Sequence, residues 1–285
     1  MKIHHLNCGT DCPFAGRFMD GRSAGLRAHL VCHCLLIETD ASGLVLVDTG
    51  YGLKDVHQPH PRTSRVMRGL LNIRFRESET AVRQIEALGH AASDVRHIVL
   101  THLDFDHAGG LEDFPHARVH LMGAELDAAR ALNGGLTSRK RYRHMQFDAV
   151  RDWRVYRSQG EPWLGFGAVR DLNGLPPEIL LLPLTGHTWG HAGVAVAQGD
   201  GWLLHAGDAY FHSGEMRQPK RECPPGLRLY QNVMEVDRRA RLANQERLRA
   251  LSLDASKGVS IICAHDAAEL EACMAGRPLR SQGAG

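Results

Sequence analysis

A short apolar run, VRHIVL (residues 95–100), passes without a turn into THLDFDHAGG (residues 101–110). The run has the length of a buried strand. The segment after it packs four metal-ligand side chains, His102, Asp104, Asp106 and His107, into six positions. In α/β sheets, ligand sites gather beyond the carboxyl ends of strands. The junction therefore predicts a strand whose C-terminal end delivers a metal-binding loop. A chain built this way needs rigid sheet behind the loop to hold the imidazoles and carboxylates in place.

The rest of the chain supplies that sheet. MKIHHLNCG reads as a first strand, and HLVCHCLLIET and GLVLVDTG as a hairpin closed by Asp40–Gly43. SETAVRQIEALG carries apolar residues at helical spacing, with Gly89 placed to cap it. ARVHLM predicts a strand and GAELDAARAL a helix. EILLLPL, AGVAVAQ and GWLLHAG predict three more strands. A Pro-rich connection follows, then one long helix over VMEVDRRARLANQERLRALS, strand VSIICAH and helix DAAELEACMAG. Strands arriving in two batches, each with helices, predict two sheets packed face to face and covered on both sides, a four-layer αββα sandwich of the α/β class. We read residues 1–276 as one domain and 277–285 as a tail. Residues 133–177 lose periodicity and read as an insertion or lid.

Composition narrows the function classes. At 285 residues with 43% apolar and 23% charged, the chain can bury a sizeable core. A formal charge of +2 gives no pull toward nucleic acid or anionic membrane. No apolar stretch is long enough to span a bilayer, and the N-terminus shows no secretory pattern, so the expectation is a cytoplasmic protein. The seven cysteines (8, 12, 32, 34, 223, 263 and 273) form no C-x2-C pair and read as reduced thiols near one β-layer.

Four strand ends carry ligand chemistry: HLDFDH, TGHTWGH with His187 and His191, HAGDAY with Asp208, and CAHD with His265. In this order they resemble the metallo-β-lactamase superfamily, whose pattern is H-x-H-x-D-H, a GH turn, a strand-ending Asp and a late His. LVDTG, with Asp48, resembles that superfamily's early Asp-Thr-Gly turn. The resemblance spans about residues 30–270, with 133–177 and 212–232 unmatched, and FDHAGG and GHTWGH are most similar to the N-acyl homoserine lactonase and glyoxalase II branches. It implies a metallo-β-lactamase-like fold with two metal ions, one held by His102, Asp104 and His187, the other by Asp106, His107 and His265, and bridged by Asp208. It also implies that Asp48 orients a ligand histidine and that His191 packs behind the ligands. The implied reaction is attack on an ester, lactone or thioester carbonyl by a hydroxide shared between the ions, which makes Asp106 part of the catalytic machinery as well as a ligand. Gly109 and Gly110 would let backbone pass close to the metals, or serve only as turn-formers.

Two departures bear on chemistry. Asp104 stands where the pattern has its second His. With three carboxylates and a hydroxide, two divalent ions reach zero net charge, which favours iron or manganese over zinc. Flavodiiron proteins carry a carboxylate in that slot, so an iron-dependent oxidoreductase or dioxygenase is the first rival reading. A non-catalytic effector-binding protein is the second. The lactonase tyrosine follows the bridging Asp by three residues, where this chain has Phe211. Tyr210 or His212 could instead polarise a carbonyl or protonate a leaving group, or both could simply pack. The basic run SRKRYRH (residues 138–144) reads as a solvated lid face rather than an anion clamp. Trp153, Trp163 and Phe166 could line an acyl pocket or anchor the insertion. The expected partner is a small-molecule substrate, not nucleic acid or membrane, with a homodimer left open.

Overall fold

The computed structural model describes residues 1–131, 141–157, 160–168, 172–218 and 220–279. Thirteen strands are present among them: β1 (Lys2–Asp11), β2 (Leu30–Glu38), β3 (Leu44–Val47), β4 (Ile73–Arg74), β5 (Val95–Val99), β6 (Arg118–Met122), β7 (Trp153–Tyr156), β8 (Glu161–Trp163), β9 (Phe166–Ala168), β10 (Ile179–Pro183), β11 (Ala192–Gln198), β12 (Gly201–His205) and β13 (Val259–Ile262). One sheet runs β4-β1-β2-β3-β5-β6-β7 and the other β10-β11-β12-β13, with β8 and β9 as a separate hairpin.

Strand β2 shows why the layers stack. Every residue from Leu30 to Ile37 is buried, as a strand covered on both faces requires. Its alternate side chains go to different cores. Cys32, Cys34 and Leu36 join the core shared with the helix Ala81–Ala87, whereas Leu35 and Ile37 face Leu181, Val194 and Val196 of the second sheet. The second sheet's outer face packs Leu180, Leu182 and Leu204 against Leu248 and Leu251 of the helix Arg238–Leu253. The arrangement is the expected αββα sandwich.

The expected lid is partly framework. Strand β7 pairs with β6 and extends the large sheet, while Trp163 and Phe166 are buried in the second sheet's outer core. These aromatics anchor the segment, and Trp153 packs against the first core. The long helix expected after the Pro-rich connection is two helices, Pro225–Met234 and Arg238–Leu253. The Asp237 side chain caps the second by accepting from the Ala240 N–H at 2.9 Å. The break frees the Val236 and Asp237 N–H groups to donate to the Gly186 carbonyl at 2.9 and 3.0 Å, clamping the turn that carries His187.

Candidate metal centre

Sheet geometry brings the four motif segments to one edge. In the second sheet, β10, β12 and β13 end, and β11 begins, on the same side, since β10 and β12 each run antiparallel to β11 and β13 runs parallel to β12. The first sheet's β5 ends there too, and the Ala192 N–H donates to the Thr101 carbonyl at 2.9 Å, joining the sheets at the motif. His102, Asp104, Asp106, His107, His187, Asp208 and His265 converge at this edge and all are buried.

The spacing between them is that of shared ligation. Asp104 Oδ2 lies 3.1 Å from His187 Nε2 and 3.4 Å from His102 Nε2. Asp208 Oδ2 lies 3.3 Å from His187 Nε2 and 3.8 Å from His102 Nε2. On the other side, Asp208 Oδ1 lies 3.3 Å from His107 Nε2 and 3.1 Å from His265 Nε2, and Asp106 Oδ2 is 3.7 Å from His265 Nε2. The Nε2 atoms of His107 and His265 face each other at 3.4 Å. Ligand atoms about 2.0–2.1 Å from a tetrahedral ion stand about 3.4 Å apart. His102 Nε2 is buried without a hydrogen-bond partner among the described residues. The donor set therefore fits two ions, with one oxygen of Asp208 turned to each group. Cys32 Sγ lies near Asp106 and His265, close enough to count among the donors of the second group. All seven cysteines are free.

The far nitrogen of three candidate ligand histidines is already engaged. His107 Nδ1 donates to Asp48 Oδ2 at 2.9 Å and His265 Nδ1 to the Val31 carbonyl at 2.7 Å, while His102 Nδ1 meets Thr101 Oγ1 at 2.9 Å. These bonds aim Nε2 at the centre. Asp48 also accepts the Thr101 N–H and hydroxyl at 2.8 and 2.7 Å, and it holds φ at 55°, a left-handed conformation uncommon for a non-glycine residue. His191 sits behind Asp208, accepting its backbone N–H on Nε2 at 2.9 Å and donating Nδ1 to the Leu184 carbonyl at 2.9 Å.

Several expectations change. Gly109 approaches Gly50 and Asp55 rather than the ligands: a Cβ there would stand 2.7 Å from the Gly50 carbonyl oxygen and 2.3 Å from Asp55 Oδ2. Tyr210 is turned away from the centre. Its hydroxyl donates to Glu269 at 2.9 Å, inside a core where Arg217 also pairs with Glu269. Phe211 holds the neighbouring place, stacked on His265 with centroids 5.2 Å apart. His212 is half-buried beside His265 and Asp266, its Nδ1 accepting the Gly214 N–H at 3.1 Å.

Three residues were not legible as site residues. Glu125 is buried and accepts from the Leu103 N–H, the Thr188 hydroxyl and the Gly190 N–H at 3.0, 2.6 and 3.1 Å, tying the first motif to the GHTWGH turn. Tyr230, on the helix Pro225–Met234, packs edge-on against Phe211. Burial, reinforced by Asp106, Asp208 and Asp104, pushes its phenol well above the ordinary range. Arg141 belongs to the basic run read as solvated, of which residues 138–140 lie outside the described residues. It is buried, and its Nε lies 2.7 Å from Asp104 Oδ1. Burial opposes ionisation of Asp104, but Arg141 and His102 outweigh it and hold the carboxyl well below the usual range. Burial, with Arg141 adding, pushes His187 down to about 4.

Comparison with known proteins agrees with this geometry. Residues 28–251 match the family model described as the metallo-beta-lactamase superfamily. A probable metallo-hydrolase of Mycobacterium tuberculosis is 42% identical over 269 residues, covering 93% of this chain and 80% of the relative. An N-acyl homoserine lactonase of Bacillus cereus is 32% identical over 123 residues, 41% of this chain and 49% of the lactonase. The solved structure of an N-acyl homoserine lactone hydrolase with N-hexanoyl-L-homoserine at its metal centre superposes with a TM-score of 0.68 at 19% identity, covering 95% and 96% of the two chains. The described residues include no helix long and apolar enough to cross a membrane. The chain belongs to the metallo-β-lactamase superfamily and is a metal-dependent hydrolase.

Proposed function

We propose that this chain is a dinuclear hydrolase that opens a lactone or cleaves a related ester or thioester. The observation that carries the reading is the division of Asp208, one oxygen toward His102 and His187 and the other toward His107 and His265. His102, Asp104 and His187 would hold one divalent ion and Asp106, His107 and His265 the other. Ions bound there supply an activated water and Lewis-acid polarisation of a carbonyl. The protein's own part is to keep three Nε2 atoms aimed inward through Asp48, Thr101 and the Val31 carbonyl, and to exclude bulk water by burying every ligand.

We assign Tyr230 the role first considered for Tyr210, donation to the substrate carbonyl or leaving oxygen, on its packing against Phe211, which stacks on His265. The lactonase relatives support a small acyl substrate, and Phe211, stacked on His265, forms an aromatic wall with Tyr230 beside the candidate ligands. The test is a panel of lactones, esters, thioesters and phosphodiesters, assayed with zinc, manganese and iron forms. Lactone or ester turnover that chelation abolishes supports the reading. Metal binding without turnover of any panel member would mean an effector-binding protein, and oxygen consumption by the iron form would mean an oxidoreductase.

A further inference from the structure

The departure at Asp104 comes with a partner that no comparison assigns. Arg141 and Asp104 are each 3% exposed, and a buried ion stripped of its partner costs several kcal/mol. The two are held together by backbone as well as charge, since Asp104 and Tyr142 form an isolated β-bridge that fixes Arg141 alongside the motif loop. The Arg141 Nε lies 2.7 Å from Oδ1 of Asp104, while Oδ2 is the oxygen turned toward His102 and His187. The arginine thus decides which oxygen is left for an ion.

Arg141 also reaches the neighbouring ligand. Its Nη1 donates to the His187 carbonyl at 3.1 Å, and its Nη2 lies 3.0 Å from His187 Nε2. A guanidinium has only donors, so the Nη2 contact favours an unprotonated His187 Nε2, the form that a metal needs, against the pull of Asp104 Oδ2 at 3.1 Å for a proton there. An ion at His187 Nε2 would displace Nη2 and leave the 2.7 Å ion pair between Nε and Oδ1.

We propose that Arg141 and Asp104 work as one electroneutral ligand unit in the second motif slot, with Arg141 the positioning residue for Asp104 and His187. The pair carries the net charge of a neutral imidazole. It raises the sum for two divalent ions, three carboxylates and one hydroxide from zero back to plus one, the value that a histidine in the slot provides. The charge argument for iron or manganese over zinc therefore lapses, and with it the main support for the oxidoreductase rival. The inference rests on the dinuclear reading above.

The experiment is a metal-binding cycle on the full-length protein: wild type, Asp104→His, Arg141→Met and the double variant. Zinc stoichiometry and affinity, and manganese–zinc competition, are measured with circular dichroism as the control for folding. Wild type binds two zinc ions. In Asp104→His a buried guanidinium stands unpaired beside the first ion, so that ion is held about ten- to a hundredfold more weakly, while the Asp106–His107–His265 ion is retained and reports a folded site. The double variant regains two tight zinc ions. Arg141→Met alone shifts competition toward manganese. Tight binding of two zinc ions by Asp104→His, a double variant no better than that single variant, or unchanged competition in Arg141→Met would each overturn the proposal. Wild type binding fewer than two ions would instead overturn the dinuclear reading beneath it, and absent turnover with an intact cycle would strike only the hydrolase assignment.

Discussion

The tyrosine proposed for the chemistry, Tyr230, and the tyrosine nearest in sequence to Asp208, Tyr210, are different residues. Tyr210 follows Asp208 by two positions, but the turn after β12 sends it into the second sheet's outer core, where its hydroxyl donates to Glu269. Tyr230 lies more than twenty residues from Asp208 and is brought beside the centre by packing edge-on against Phe211, which stacks on His265. Tyr230→Phe is expected to lower kcat about ten- to a hundredfold with two ions still bound, the size of one lost hydrogen bond to developing charge. Steady-state kinetics beside metal analysis checks this, and unchanged kcat on the best panel substrate would remove Tyr230 from the mechanism. Tyr210→Phe should leave the rate alone and lower thermal stability instead. The residues that converge at the sheet edge are readable in the sequence because each follows an apolar run that ends in a turn. Arg141 was not, because a basic run seven residues long looks solvated until the backbone shows one member paired inward with Asp104.

At the level of elements, the strands and most helices follow from alternation, apolar spacing and Gly punctuation, as in β2 and in Ala81–Ala87. The break between Met234 and Arg238 was hidden because its cause is remote: the freed N–H groups serve the Gly186 carbonyl, far away in sequence. Glu125 was hidden for the same reason, since its three donors come from two other segments. A Cβ on Gly190 would stand 2.1 Å from the Glu125 nitrogen, so the start of helix Gly123–Ala131 lies directly on the GHTWGH turn. Removing the carboxylate orphans two buried backbone N–H groups and a hydroxyl. Glu125→Ala is therefore expected to cost about 3–5 kcal/mol and to loosen both the His102 and His187 segments. Urea denaturation with and without zinc measures it. A loss below about 1 kcal/mol would show that water replaces the carboxylate and that the helix does not brace the centre.

Over the whole molecule, nine of the 18 histidines are buried, and away from the carboxylates of the metal centre burial pushes their pKa values down. His97 and His120 lie on adjacent strands away from the metal centre, linked Nδ1 to Nε2 at 2.8 Å, with the far side of His120 meeting the Tyr156 hydroxyl at 2.8 Å. Burial, with Arg118 and Arg154 adding, pushes His97 down to about 4, and burial with His97 beside it pushes His120 down to about 3. Both are bases whose folded pKa lies below the unfolded value near 6.5. Above that pH neither state takes the proton and the fold loses nothing. As pH falls through 6.5 the unfolded chain binds protons that the folded chain refuses, so stability drops by at most about 1.4 kcal/mol per pH unit per histidine until the folded groups titrate near 4 and 3. The shared hydrogen bond couples the two, so their joint loss is the measurable quantity. Other buried histidines contribute as well, which makes the difference between proteins the clean readout. Urea denaturation in chelator at pH 7 and pH 5, for wild type and for His97→Gln/His120→Gln, should show a smaller acid loss in the variant, whatever its stability at pH 7. An equal loss in both would mean that the pair is protonated, or reached by water, in the folded protein, and that acid sensitivity arises at the metal centre instead.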